Sequence, residues 1–203
     1  DNSKHVVIVY GGVSSLDFGS AARVYWTFKT IGHENVSILN GGFKGWANGG
    51  NKIASGENSI SPTSFKTKLN KKYFASFSEV QKAQKGKGQQ CLIDARPAAF
   101  FTGDKKHAKA RIPGRLANAR NLQEGNLIDD SFKMKTSSAI KSQFGGLDGV
   151  EQYKGYISYC NTGHWAATVW FGLSEIAQIP NVKMYDGGMT HWTSNPKRKV
   201  DLG

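Results

Sequence analysis

Tyr159-Cys160-Asn161-Thr162-Gly163-His164-Trp165 is the stretch on which the reading of this chain turns. It follows a short run, 156–159, that reads as a buried strand, and it precedes a stretch, 166–178, that reads as a helix. That order puts Cys160 at the carboxyl end of a strand, where open parallel sheets bind their ligands. The turn aims several backbone N–H groups at one point, and the helix N-terminus adds the positive end of its dipole. Such surroundings favour a thiolate, so the Cys160 pKa is expected below the usual ~8.5. Gly163 permits a backbone conformation that a side chain would block. Cys160 is therefore the candidate nucleophile. Asn161, Thr162, Gly163, His164 and Trp165 form its candidate binding cradle.

Working outward, strands are expected at 6–10, 36–39, 91–95, 116–119 and 182–185. Helices are expected at 19–31, 43–48, 76–86, 137–144 and 188–192. Ala21, Val24, Tyr25 and Phe28 recur at helical spacing, and Ser76-Phe77-Ser78-Glu79 has the spacing of a capping box. Residues 97–112 read as a long loop and 49–75 as a connector region rich in Gly, Asn, Ser and Lys. Strands alternating with helices predict an α/β fold, with a mostly parallel central sheet flanked by helices on both faces.

Two segments resemble each other. Asn35 matches Asn181, Gly42 matches Gly188 and Trp46 matches Trp192, all at an offset of 146. Upstream, Tyr10 matches Tyr159 at 149 and Trp26 matches Trp170 at 144. A repeat of this length means duplicated domains. The chain has 203 residues, so 57 remain beyond one unit of 146. The expectation is one complete unit at 73–203, a connector at 59–72, and at 1–58 only the C-terminal part of an earlier unit. A partial sheet exposes a strand edge and apolar surface. The N-terminal piece is expected to pack on the complete unit or on a separate N-terminal fragment of the same protein.

Charge and cysteine content narrow the chemistry. The net charge is +12, concentrated in 62–90 (seven Lys, one Glu) and 104–120 (six Lys or Arg, one Asp). A basic surface attracts small anions. No nucleic-acid motif accompanies it, and no stretch approaches the roughly 18 apolar residues of a membrane span. Neither nucleic acid nor membrane is expected as a partner. Two cysteines make neither a disulfide framework nor a zinc site. A Cys91–Cys160 bridge stays open, with Cys91 reading as a structural thiol in a central strand. No metal or organic cofactor is expected. High Lys, Ser and Asn content suits a bacterial periplasmic location, or a cytoplasmic one.

The motifs, taken in order, resemble those of the tandem-domain rhodaneses, the thiosulfate and 3-mercaptopyruvate sulfurtransferase family. Ile93-Asp94-Ala95-Arg96-Pro97 with Phe101-Thr102-Gly103 is similar to that family's first signature. Arg111-Ile112-Pro113-Gly114-Arg115 is similar to its His-Ile-Pro-Gly-Ala signature, and Asp186-Gly187-Gly188 through Trp192 to its C-terminal one. Ser20 to Trp46 resembles the second half of an N-terminal rhodanese domain. The resemblance implies that Cys160 takes a sulfane sulfur from a small anionic donor, thiosulfate or 3-mercaptopyruvate. It then passes the sulfur to a thiol or cyanide. Tyr10 is followed by Gly11-Gly12, so the earlier unit lacks the nucleophile.

The chain departs from the family where Asn161 replaces a basic residue and Phe100 an arginine. His164, Arg111 or a nearby Lys is expected to substitute for the missing anchors, and Arg96 is a further candidate contact to the donor. A phosphatase loop needs Arg six residues after the cysteine, to clamp phosphate; Ala166 stands there. Six residues, Cys160 to Trp165, are expected before the helix. Two rival functions remain: a sulfur carrier or docking module without turnover, and a nucleic-acid binder suggested by charge alone.

Overall fold

The computed structural model describes residues 1–203. Four strands, β3 (Gln90–Asp94), β4 (Arg120–Asn121), β5 (Gly155–Tyr159) and β6 (Val182–Met184), form one all-parallel sheet in the order β4-β3-β5-β6. β5 is central, and all five of its residues are buried, as a parallel strand covered on both faces requires. Successive side chains alternate between two cores. Cys91 and Ile93 join Trp170, Phe171 and Tyr156 on one face. Leu92, Ile157 and Tyr159 join Val80, Leu116, Tyr185 and Trp192 on the other.

The helices of this unit are α3 (Phe77–Gln84), α4 (Ala98–Thr102), α5 (Ser137–Gly145), α6 (His164–Phe171) and α7 (Gly188–Ser194). Ser76 and Glu79 make the expected capping box on α3, which satisfies two of the donors a helix start leaves free. Three expectations need correction. The strand placed at 116–119 lies at Arg120–Asn121, because Leu116 and Ala119 face the second core from a turn. The loop 97–112 contains α4, which runs straight on from Pro97. The helix placed at 166–178 begins at His164 and passes into a π-helical turn at Gly172–Ile176.

The N-terminal segment carries β1 (Val6–Ile8), α1 (Ser15–Thr30), β2 (Val36–Ile38) and α2 (Gly42–Asn48), with β1 and β2 paired in parallel as a separate small sheet. Ser14 caps α1 by accepting from Asp17 N, so this helix starts four residues before the expected one. α1 lies against α6. Phe18 and Tyr25 meet Phe171 edge-on at 5.8 and 4.9 Å, and Trp26 Nε1 donates to Tyr73 O at 3.0 Å. Tyr10 donates to Phe132 O at 2.7 Å, and Asn40 exchanges bonds with the backbone of Met134. One continuous apolar core includes side chains of both segments. Of the two packing arrangements expected for the N-terminal piece, the structure has the one against the following residues of the same chain.

Backbone bonds correct the alignment of the repeat. Phe43 N donates to Tyr10 O and Met189 N to Cys160 O; Lys44 N donates to Gly11 O and Thr190 N to Asn161 O. Tyr10 therefore occupies the position of Cys160, an offset of 150 and not 149. The sequence match slipped because the turn before α1 is one residue longer than the turn before α6. The Trp26–Trp170 match also fails: these are the twelfth and seventh residues of their helices.

The corrected register explains an exposed apolar groove of about 380 Å³ lined by Val7, Val9, Leu39, Phe43, Trp46 and Ile53. Val7, Val9, Phe43 and Trp46 correspond to Ile157, Tyr159, Met189 and Trp192. The first four are 41–55% exposed, the second four at most 2%. α3, β3 and the 116–119 turn cover the second set; nothing covers the first. No helix is long and apolar enough to cross a membrane.

Candidate active site

β5 ends at Tyr159, and the chain turns through Cys160, Asn161, Thr162 and Gly163 into α6. Four residues precede the helix, not the six expected. Gly163 adopts φ +104° and caps the helix from the left-handed region, a conformation that costs glycine little. Its amide donates to Cys160 Sγ at 3.0 Å. The amides of Thr162 and Ala166 also face the sulfur and, like that of Gly163, favour its charged form. The back of the turn is held by the Asp186-Gly187-Gly188 segment. Met189 N and Thr190 Oγ1 bond the carbonyls of Cys160 and Asn161 at 2.8 and 2.7 Å. A Cβ at Gly188 would lie 2.5–2.6 Å from those carbonyl oxygens, so only glycine fits there.

The expected fall in the Cys160 pKa is not what the surroundings produce. Cys160 is 1% exposed. Burial pushes its pKa up and outweighs the three amides that pull it down, while the charge of Asp94 adds to the rise. Burial likewise pushes Cys91 up to about 11. Neither cysteine is in a disulfide. A raised pKa means that thiolate appears only as pH climbs past the ordinary thiol value of ~8.5. Alkylation of Cys160 by iodoacetamide is therefore expected to keep accelerating at pH values where the urea-unfolded chain has already reached its plateau. A native profile that levels off first would contradict this. By linkage, the stability contributed by both thiols is intact below ~8.5 and is lost as pH rises toward the folded-state values.

A cavity of about 340 Å³ opens at this turn, lined by Leu16, Ser20, His107, Cys160, Asn161, Thr162, His164 and Trp165. Five of the expected site residues thus come together on it; Gly163 is not among its lining residues and acts through its amide on the Cys160 sulfur. No carboxylate lines it. Asn161 is 2% exposed, and its Nδ2 has no partner, which leaves a buried donor beside the thiol. His164 is held below its ordinary pKa by burial and by the charge of Arg23, so it faces a ligand as a neutral ring. Trp165 meets Phe100, the residue that stands in place of an arginine, at 5.7 Å, and the two rings form an aromatic pair.

Arg96 and Arg111 do not line the cavity. Arg96 is 2% exposed and turns inward. Its guanidinium forks onto Asp94 at 2.8 and 2.6 Å, donates to Gly114 O at 2.9 Å and reaches Asn161 Oδ1 at 3.4 Å. Arg111 is spent on α7, bonding Thr193 O at 3.1 Å. Both are corrected from donor contacts to scaffolding.

Three lining residues were missed. Leu16 and Ser20 share one face of α1 and become visible once the Ser14 cap is recognised. His107 lies in a loop without periodicity. Lys109 N donates to its Nδ1 at 3.2 Å, which leaves Nε2 as the ring's donor. No three His, Cys, Asp or Glu side chains converge to hold a metal ion.

Residues 76–195 match the family described as Rhodanese-like domain. The chain is 30% identical over 202 residues to the 3-mercaptopyruvate sulfurtransferase of Escherichia coli K12, covering 99% of this chain and 69% of that protein. It is 31% identical to a putative thiosulfate sulfurtransferase of Saccharopolyspora erythraea, over 93% of this chain and 67% of the relative. Among solved structures, the 3-mercaptopyruvate sulfotransferase of Escherichia coli superposes with a TM-score of 0.77 at 29% identity, over 91% of this chain and 66% of that one. An anaerobic ergothioneine biosynthesis enzyme from Chlorobium limicola superposes at 0.83 with 18% identity, a likeness of fold. The present chain spans about half of that one (52%).

Proposed function

The chain belongs to the rhodanese-like domain family, and from that premise we propose that it is a sulfurtransferase whose nucleophile is Cys160. The observation that carries this reading is the sulfur of Cys160 held under a backbone amide at 3.0 Å, at a cavity with no carboxylate on its walls. The Cys160 thiolate attacks the outer sulfur of the donor. A Cys–S–S bond forms as the donor's S–S or C–S bond breaks, and the bonding pair leaves with sulfite, or with the enolate of pyruvate. The outer sulfur of the resulting persulfide takes its negative charge in the turn, stabilised by fixed N–H donors. A thiolate or cyanide then attacks that sulfur and returns Cys160 as thiolate, a double displacement.

Asn161 Nδ2, which has no partner, and His107 Nε2 are two donors at the cavity for the anionic end of the substrate. His107→Ala is expected to raise KM for thiosulfate about tenfold with kcat nearly kept, the pattern of lost uniform binding. Equal losses in kcat and kcat/KM would contradict that role.

The second reading, a carrier that loads sulfur without turnover, is favoured by the raised pKa of the resting thiol. Intact mass after incubation with thiosulfate, followed by addition of cyanide, separates the two. An adduct of one sulfur that cyanide discharges as thiocyanate, cycle after cycle, is the enzyme; an adduct that persists is the carrier.

The unit boundaries at 58 and 73 form part of the same proposal. So does the occupant of the apolar groove, a segment of the same protein equivalent to residues 75–119.

A further inference from the structure

We infer that Arg23 of the N-terminal segment is a positioning residue for the sulfur-carrying turn, acting through an ion pair with Asp186 that clasps the two units together at Gly163. The inference rests on the reading of Cys160 as the sulfur carrier. Three independent contacts converge on this guanidinium. It pairs with Asp186, the residue that opens the segment holding the carbonyls of Cys160 and Asn161. It lies so close to Gly163 that a Cβ there would overlap it, while the same Cβ would stand 3.3 Å from Asp186 Oδ1. It also sits 5.0 Å from the centre of the Trp26 ring, which fixes its direction from α1.

Gly163 is the residue whose amide meets the sulfur. A guanidinium pressed on its α-carbon, and tied to the residue behind the turn, closes the turn between two elements. Burial holds the His164 pKa below its ordinary value, and the charge of Arg23 lowers it further, so the same side chain also bears on the ring at the cavity wall. Arg23 and Asp186 keep 27% and 41% of their side-chain exposure. Exposed pairs of this kind add little to stability, so their purpose lies in the geometry of the turn. Nothing in the Cys160 motif itself supplies this cation; it arrives from the unit that lacks the nucleophile.

The test uses the whole chain, with Arg23→Gln, Arg23→Lys and the isosteric Asp186→Asn. The rate of sulfur loading on Cys160 from thiosulfate is followed by intact mass, and His164 is titrated by NMR. Arg23→Gln is expected to slow loading about tenfold, the scale of a small misplacement of reacting atoms. It is also expected to raise the His164 pKa and to leave the thermal midpoint nearly unchanged. Asp186→Asn is expected to slow loading similarly, and Arg23→Lys to recover part of the rate. Wild-type loading in Arg23→Gln or in Asp186→Asn overturns the clasp. So does slowed loading in Arg23→Gln with an unmoved His164 titration. A wild-type protein that takes up no sulfur overturns the reading of Cys160, and the clasp with it.

Discussion

Replacing Cys160 by serine is expected to lower sulfur transfer by at least ~10³-fold, a loss on the scale seen when a covalent nucleophile is removed. Serine keeps the volume of the site but not the reaction. A hydroxyl is a far weaker nucleophile than a thiolate at neutral pH, and oxygen forms no stable equivalent of the persulfide. The fold is expected to persist, because the turn is held by Met189 and Thr190 on its carbonyls and not by the sulfur. Cys91 gives the control. It is 1% exposed and packs in the core beneath the sheet, outside the cavity. Cys91→Ser should leave one sulfur per chain after loading; Cys160→Ser should leave none. A Cys160→Ser protein that still releases thiocyanate from thiosulfate and cyanide at the wild-type rate would end the proposal.

The second large effect is on stability. Arg96→Met is expected to destabilise the fold by about 3–5 kcal/mol, the cost of leaving one member of a buried ion pair alone. Asp94 is fully buried and Arg96 nearly so. The carboxylate accepts both arms of the guanidinium, and the remaining arm serves Asn161 at 3.4 Å. Without the guanidinium, Asp94 faces the ring of Tyr159, whose hydroxyl is already held far above its ordinary pKa by burial and by that same carboxylate. Urea unfolding monitored by tryptophan fluorescence reads the loss directly. The double variant Asp94→Asn, Arg96→Met removes both charges and should recover much of it, since a neutral replacement of a buried pair is often tolerated. If the single variant is as stable as wild type, Arg96 is not the scaffold described here.

The legibility of this chain followed the range of the interactions involved. Strands β3, β5 and β6 were readable because short apolar runs in a parallel sheet are buried on both faces and depend little on context. The α3 start was readable because a capping box is a local exchange between Ser76 and Glu79. β4 was misplaced, because two residues pair with β3 through tertiary geometry alone. The one-residue slip in the repeat had the same origin. Tyr10 and Tyr159 are alike in type, yet backbone bonds put Tyr10 opposite Cys160. No residue pattern reports those bonds.

From the residues alone came the thiol at a strand end and the glycine that lets its turn close. Both depend on neighbours within a few positions, where chemistry and backbone preference are written in the chain. Three-dimensional packing decided the rest: that Arg96 and Arg111 turn away from the cavity, that His107, Leu16 and Ser20 face into it, and that Arg23 reaches the turn across the boundary between units. It also reversed the expected acidity of Cys160, because local amides pull its pKa down while burial by distant parts of the chain pushes it up more strongly. Desolvation is summed over everything that covers an atom, and that sum exists only once the chain has folded.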